Sequence, residues 1–259
     1  DIDNMVIDEQ AFAQVTHIIH LAGAGVADER WTKKRKQEII DSRVKSGQLL
    51  VQSLKAIPNK VQSFISASAI GWYGADLEVP NPNPFKEDDK PANDFLGRAC
   101  QLWEESTKPV GEMGKRLAHI RIGIVLSKNG GALKEFIKPQ KFGVAAILGN
   151  GKQIISWIHI DDLVNIFITA IENETIQGTY NAVAPNPVSN KELTIALAKA
   201  RGKFYIPVHI PSFLLKLVLG EMSVEVLKST TVSAEKLLAT GFQFNNDNIE
   251  DALRKETAS

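Results

Sequence analysis

The sequence predicts an α/β fold: a doubly wound parallel sheet with helices on both faces, followed by a smaller helix-rich C-terminal region. Two observations predict the sheet and the region after it. Short apolar strands alternate with amphipathic helices through most of the chain, and the segment after residue 186 becomes rich in helices. With 259 residues, the chain is long enough for one large domain or two smaller ones.

The first half of the chain alternates regularly. The predicted elements are a strand at 17–22, a helix at 33–57, a strand at 61–70, a long proline-rich loop at 75–93, a helix from Asp94 to about Thr107, and a strand at 117–126. In 33–57, apolar residues such as Ile39 and Ile40 recur every three to four positions, and Pro58 stops the helix. A loop as long as 75–93 inside a compact domain is usually functional or mobile.

The second half continues the pattern and then changes. The predicted elements are a helix at 132–138 limited by Pro139, an extended segment at 154–160, a helix from about Asp162 to Glu172 capped by Asp161, a strand at 178–184, and helices at 190–201, 211–219, 222–229 and 233–239.

Composition excludes several classes of function. Thirty Lys and Arg balance thirty Asp and Glu, and the basic run at 33–36 is followed by Glu38 and Asp41, so no nucleic-acid partner is expected. The apolar stretch interrupted by Lys216 is too short to span a bilayer, and no membrane partner is expected. Cys100 is the single cysteine, which rules out an intrachain disulfide and favours a reducing, cytoplasmic compartment.

Ligands of parallel sheets lie at the carboxyl ends of the strands, here 21–25, 66–74 and 121–131. Gly23-Ala24-Gly25 lacks the third glycine of a dinucleotide loop, since position 28 is Asp. His17 and His20, three apart on a strand, point to opposite faces, so no metal site is expected.

Ser66 and Ser68 share one face of the second strand, close to its carboxyl end. Two interpretations stay open: the serines serve a site, or they are small packing residues beside a glycine.

Several motifs in a fixed order give the sequence a family resemblance. "HLAG", "RWTKKRKQEIIDSR", "SASAIGWYG", "RIGIVL", "SWIHIDDL" and "LLATGFQF" follow one another across nearly the whole chain. The sequence resembles the extended short-chain dehydrogenase/reductase superfamily, and within it an atypical branch often labelled epimerase-family protein. The resemblance implies a Rossmann-like dinucleotide-binding domain, at 1–126 and 152–185, and a substrate domain, at 127–151 and 186–259.

The same resemblance implies an NADP(H) site. The residues that it places there are Leu21, Ala22, Gly23, Glu38, Arg43, Ser66, Ala67, Arg121 and Val125. Arg43 stands where typical members carry Asn; its guanidinium would pair with phosphates and favour NADP over NAD. An ordinary helix-surface arginine is the equally weighted alternative. The first strand and glycine-rich turn of the family have no counterpart, so an N-terminally truncated chain that binds cofactor poorly is expected.

The catalytic residues of the family are only partly matched. Ser68 matches the family serine, but Phe95 and Ala99 stand at the Tyr and Lys positions, and no Tyr-x-x-x-Lys occurs anywhere in the chain. Phenylalanine cannot exchange a proton. Tyr73, predicted with Ser68 as catalytic, is one replacement acid/base; Asp94 and Cys100 are others.

Three further residues, Trp31, Trp157 and His159, are substrate-contact candidates, with domain packing as the alternative for the tryptophans. Two functions stay open: an NADP-dependent oxidoreductase or nucleotide-sugar epimerase-like enzyme acting on a carbonyl or hydroxyl compound, and a non-catalytic nicotinamide-dinucleotide sensor or regulator. A purely structural module would leave the pocket motifs unexplained. The helices at 33–57 and 94–107 resemble the pair that forms homodimers in the superfamily.

Overall fold

The computed structural model describes residues 1–258. The helices are α1 (Glu9–Gln14), α2 (Lys33–Ala56), α3 (Phe95–Thr107), α4 (Pro109–Glu112), α5 (Ala132–Gln140), α6 (Ile160–Glu172), α7 (Asn190–Ala200), α8 (Ser212–Leu219), α9 (Ser223–Leu227), α10 (Glu235–Leu238) and α11 (Ile249–Thr257). The strands are β1 (His17–His20), β2 (Ser63–Ala69), β3 (Arg116–Ile122), β4 (Ile124–Leu126), β5 (Val144–Leu148), β6 (Ile154–Ile155), β7 (Trp157–His159), β8 (Gly178–Ala182), β9 (Val188–Ser189) and β10 (Ile206–Ile210).

The predicted parallel sheet is present. Its four strands have the order β1-β2-β3-β8, flanked by helices in a Rossmann-like arrangement. β1 and β2 run parallel, with Ile18 opposite Phe64. β2 is buried along almost its whole length, as expected for a strand covered on both faces.

The two long predicted helices begin at polar caps. The Thr32 hydroxyl accepts the Arg35 backbone N–H at 3.1 Å and opens α2. Asp94 accepts the Gly97 N–H at 2.8 Å and opens α3, as predicted. α2 ends before Pro58, because the residue preceding a proline is disfavoured in the helical region.

The predicted strand 117–126 is two strands, divided at Gly123. The Gly123 N–H donates to Ala182 O at 3.0 Å, and a Cβ at Gly123 would lie 2.5 Å from the Ser156 carbonyl oxygen. Only glycine tolerates this approach, so the chain turns here into β4, which pairs in parallel with β7.

Other predicted boundaries differ. α5 continues through Pro139 to Gln140, beyond the limit predicted from the proline; Pro139 has no N–H for the Glu135 carbonyl, so one intrahelical hydrogen bond is missing. α6 begins at Ile160, which places Asp161 inside the first turn rather than at the cap. The helices predicted at 222–229 and 233–239 shorten to α9 and α10.

The chain divides into two compact units. The first comprises 1–74, 87–121 and 166–180; one of its clusters of buried apolar side chains is Phe12, Val51, Leu54, Val61, Phe64 and Val110. The second comprises 75–86, 122–165 and 181–259; its cluster includes Leu126, Leu133, Trp157, Leu193, Leu197 and Leu253. The predicted division into cofactor and substrate domains, which has other bounds, stays a prediction. Each helix within residues 1–258 is too short or too polar to cross a bilayer.

Candidate functional site

The segment after β1 exposes small and apolar residues at the carboxyl end of a sheet strand. Leu21 is 60% exposed, and Ala22 and Gly23 are also exposed. Apolar residues at such a strand end are typical of a ligand-binding edge. These three consecutive residues, all predicted to contact the cofactor, are therefore accessible to a ligand.

Side chains of α2 fix the backbone of the segment that follows. Ser42 Oγ accepts the Ala24 N–H at 2.9 Å, and Arg43 Nη1 donates to Ala24 O at 2.9 Å. Arg35 Nη2 donates to Gly25 O at 2.7 Å. Three side chains on one face of a helix therefore determine the path of the chain after β1.

Arg43 is not an ordinary surface arginine. Its guanidinium lies over the Trp103 ring, 4.9 Å from the centroid, and a Cβ at Gly23 would lie 2.9 Å from Arg43 Cζ. Burial lowers the pKa of Arg43, and the nearby charge of Arg35 adds to the effect. Two guanidinium groups, those of Arg43 and the carboxylate-paired Arg35, are thus held close to the exposed segment.

Glu38 is bound to Arg35, with Oε1 2.8 Å from Nη1. The Arg35 guanidinium also lies 3.6 Å from Asp28 and 3.9 Å from Glu29. Its Nε is buried without a hydrogen-bond partner. Because Glu38 lies four residues before Ser42, it is on the same face of α2 as Ser42 and Arg43, one turn away.

Ser66 and Ala67 are buried in β2. Ser66 Oγ lies 3.2 Å from His20 Nδ1, and His20 Nε2 lies 2.8 Å from Ser46 Oγ, which links β2, β1 and α2. Burial lowers the pKa of His20 to about 4, and the positive potential of His119 and Arg43 contributes. His20 is therefore neutral at physiological pH.

Ser68 belongs to a buried ionic network. Its hydroxyl donates to Glu104 Oε1 at 2.7 Å. Arg121 makes a two-pronged pair with Glu104, Nε to Oε1 at 2.9 Å and Nη2 to Oε2 at 3.0 Å. Arg121 Nη1 also donates to Tyr73 Oη at 3.0 Å and to Glu87 O at 2.9 Å.

The network is closed to solvent. Ser68 is 1% exposed and Tyr73 is fully buried. The Arg121 guanidinium stacks on Trp72, 3.7 Å from the ring centroid. Burial alone would lower the pKa of Arg121, but the hydrogen bond and charge of Glu104, aided by Tyr73, raise it overall. The pair fixes Ser68, whose hydroxyl donates to Glu104 Oε1.

The positions of the family's Tyr and Lys are packed with apolar groups. Phe95 packs edge-on against Trp31, with centroids 4.9 Å apart, and Ala99 is buried. Trp31 is held by a hydrogen bond from Nε1 to Val26 O at 2.9 Å.

The other two replacement acids have specific surroundings. Asp94 is engaged in capping α3. Burial raises the pKa of the Cys100 thiol to about 12, with the negative charge of Glu104 adding to the effect, so the thiol stays protonated at neutral pH.

Three predicted site residues lie in the second unit. Val125 pairs with Ile158 between β4 and β7. Trp157 is fully buried and donates from Nε1 to Asn186 O at 2.9 Å. His159 is also fully buried; Nδ1 accepts the Asp161 N–H at 3.1 Å, and Nε2 lies 3.0 Å from Glu256 Oε1 without hydrogen-bond geometry. Both rings occupy the interior of that unit.

Glu104 and Trp72 are the network members that sequence reasoning missed. Glu104 follows Trp103 within the buried part of α3, at a helical spacing of four from Cys100. A lone carboxylate inside an apolar stripe is the signal that could have identified it. In the described part of the chain, no group of three or more His, Cys, Asp or Glu side chains is placed to hold a metal ion.

Comparisons with known proteins identify one family, two curated relatives and one further matching domain. The model of the "NAD dependent epimerase/dehydratase family" matches residues 1–182, and that of a domain of unknown function, DUF1731, matches 210–256. The chain is 35% identical over 247 residues to "Epimerase family protein YfhF" of Bacillus subtilis, covering 95% of this chain and 79% of that protein. It is 36% identical over 241 residues to "Epimerase family protein SAR0825" of Staphylococcus aureus, covering 91% and 77%.

Two solved structures illustrate the structural similarity. Human epimerase family protein SDR39U1 (isoform 2), solved with NADPH, is 27% identical with a TM-score of 0.86, covering 94% of this chain and 82% of that chain. UDP-glucuronic acid 4-epimerase from Bacillus cereus, solved with UDP-glucuronic acid and NAD, is 21% identical with a TM-score of 0.78, covering 99% and 78%. The second similarity concerns the fold alone.

Proposed function

The chain belongs to the NAD dependent epimerase/dehydratase family, and on that premise we propose that it binds NADP(H) as an atypical extended short-chain dehydrogenase/reductase. One observation carries the proposal. The Arg43 guanidinium is held beside the exposed segment Leu21–Gly23 at the carboxyl end of β1. The NADPH in the similar human structure supports the same cofactor.

The residues of the first unit fit such a ligand. Arg43 uses Nη1 for two backbone carbonyls, those of Ala24 and Ile39, while Nε and Nη2 donate no hydrogen bond to any described residue. These donors suit a phosphate, and the small residues at 22–23 let a ribose approach the backbone. Glu38 is the proposed further contact. A bound nicotinamide would supply or accept a hydride, and Arg43 would hold the phosphate and orient the ligand.

Titration of the protein with NADPH and NADH, followed by cofactor fluorescence up to millimolar concentration, tests the proposal. We expect NADPH to bind more tightly than NADH, and Arg43→Ala to weaken NADPH binding about tenfold. Arg98→Ala, which removes an exposed arginine of α3, is the matched control and should leave binding unchanged. Absence of NADPH binding at millimolar concentration would refute the proposal.

Turnover is a separate question, and two candidates differ on it. An epimerase or oxidoreductase acting on a nucleotide sugar or another carbonyl or hydroxyl compound needs an accessible acid/base. A non-catalytic sensor or regulator does not. The burial of Ser68 and Tyr73 in the network with Glu104 and Arg121 favours the non-catalytic candidate.

A substrate panel separates the two candidates. The sensor candidate predicts no NADPH oxidation with carbonyl compounds and no interconversion of nucleotide sugars, whereas cofactor binding persists in Ser68→Ala. The enzyme candidate predicts turnover that Ser68→Ala reduces by about a hundredfold, the usual contribution of a positioned acid/base group. A homodimer through α2 and α3, and a cytoplasmic location, stay predictions.

A further inference from the structure

Part of the second unit exposes large apolar side chains to an unusual degree. Phe142 is 86% exposed, Phe204 81% and Leu217 73%; Ile206, Val208 and Phe213 are exposed as well. We call these six side chains the β10–α8 surface. Single exposed apolar residues are ordinary, but a cluster of them marks an interaction site.

The backbone connects these residues along one strand pair and the helix that follows it. β10 pairs in parallel with β5, and the Ile206 N–H donates to Gly143 O at 2.8 Å. Phe142 directly precedes Gly143, and Phe204 lies two residues before Ile206. Both phenylalanines therefore lie at the same end of the strand pair. At the other end, Pro211 alone separates β10 from α8.

α8 presents its apolar side to solvent. Phe213 and Leu217, four residues apart, share one face of the helix, and Leu214 and Val218 extend the same exposed stripe. Leu215, on the opposite side, is buried. The helix is therefore apolar on both sides, one side packed on the protein and the other open to solvent.

The charge around the surface is one-sided. Residues 136–160 and 193–220 contain seven Lys and Arg, with acidic residues only at their borders; of the seven, Lys138 is paired with Glu135, Nζ to Oε1 at 2.6 Å. Arg201 Nη1 donates to Ile137 O at 3.3 Å, which brings the carboxyl ends of α5 and α7 together. Arg201 and Lys203 lie beside Phe204, and Lys141 directly precedes Phe142 in the chain.

The carboxyl ends of helices favour cations, so the helix dipoles account for the basic residues at the ends of α5 and α7. They do not account for the exposed side chains of Phe142 and Phe204 beside these ends. We propose that the β10–α8 surface docks the protein on an anionic lipid surface. A second copy of the chain would bring these cations against one another, whereas anionic headgroups neutralise them while the apolar side chains enter the interface. The expectation of no membrane partner rested on the lack of a spanning segment, and surface docking needs none.

Cosedimentation with vesicles tests the proposal. We expect binding to phosphatidylcholine vesicles with 30% phosphatidylserine, at least tenfold weaker binding to pure phosphatidylcholine, and release between about 0.1 and 0.5 M NaCl as the Debye length shortens. Equal binding to both compositions, or no binding to either, would overturn the proposal.

Matched variants locate the contact. Leu217→Asp should weaken vesicle binding about tenfold, and Leu77→Asp, at a fully exposed leucine outside the surface, should not. Lys203→Glu should weaken it, whereas Lys60→Glu, at an exposed lysine of the first unit, should not. Self-association that Leu217→Asp abolishes, without vesicle binding, would assign the surface to a second copy and overturn the proposal.

Discussion

At the scale of single residues, the Glu104–Arg121 pair determines what Ser68 can do. A serine that donates to a buried carboxylate offers a ligand only its lone pairs, unless the network rearranges. The guanidinium between Trp72, Tyr73 and Glu104 is satisfied on several sides. The energetic cost of breaking this arrangement is therefore large, because a buried charge would lose its partner.

Glu104→Gln tests that cost. The change leaves the Arg121 guanidinium buried beside a neutral amide, and we expect a loss of about 3–5 kcal/mol in the free energy of unfolding. Urea denaturation measures it. Glu105→Gln, at the exposed neighbour in the same helix, is the control and should change stability by less than about 0.5 kcal/mol. Similar effects in both variants would contradict the role assigned to the pair.

His20 makes stability depend on pH. Its pKa, lowered by burial to about 4 in the folded state, is near 6.5 when unfolded, so protonation favours unfolding. Its contribution is fully present above pH 6.5 and is lost as pH falls toward 4, by about 3 kcal/mol in total. Burial also lowers the pKa of His119, which adds a loss of the same sign.

Urea unfolding measured between pH 4 and 7 should show this slope. His20→Gln should make the slope shallower, because glutamine does not titrate and the contribution of His20 to the pH dependence is removed. His209→Gln is the control, because that histidine is exposed, and the wild-type slope should persist. An unchanged slope in His20→Gln would contradict the assignment.

At the scale of elements, α3 shows why the family's acid/base pair cannot be restored simply. Phe95 is half-buried at the start of the helix, whereas Ala99, one turn on, is buried. We expect Phe95→Tyr to change stability by less than about 1 kcal/mol, and Ala99→Lys to cost more than about 3 kcal/mol through overpacking and desolvation of the ammonium.

Thermal and urea unfolding of the two variants check this expectation. Wild-type stability in Ala99→Lys would show that α3 has space for the lysine, and the apolar packing argument would then fail. Lys at the half-buried Gln101 is not equivalent, because that position lies on another face of the helix.

The elements themselves were predictable to different degrees. Periodicity together with Pro58 identified α2, and periodicity together with Asp94 identified α3; the Thr32 cap of α2 was not predicted. The β5–β10 pair was missed: β5 is short and alanine-rich, and β10 contains Pro207, which is unfavourable inside a sheet. Strand pairing between distant segments depends on tertiary contacts that no local pattern encodes. The same limit hid the Ser68–Glu104 contact, although Ser68 and α3 were both identified.

At the scale of the whole molecule, balanced charge governs solubility. The formal net charge is zero and the pI is about 7.2. Proteins associate most readily where net charge vanishes, so solubility should pass through a minimum near pH 7. Precipitation by polyethylene glycol between pH 6 and 9 measures it. The double variant Lys60→Glu with Lys90→Glu should move the solubility minimum to lower pH, because it makes the net charge more negative. A minimum at an unchanged pH would show that the exposed apolar residues, rather than the net charge, cause the association.

The buried arginine–glutamate pair also limits how the sequence can change. Replacing one partner alone leaves the other as an isolated buried charge. A protein with a single substitution at Glu104 or Arg121 is therefore destabilised. Replacing both by apolar residues of similar volume costs little, because neither charge is then stranded. The two positions are therefore constrained to change together, because each single replacement leaves a buried charge without its partner.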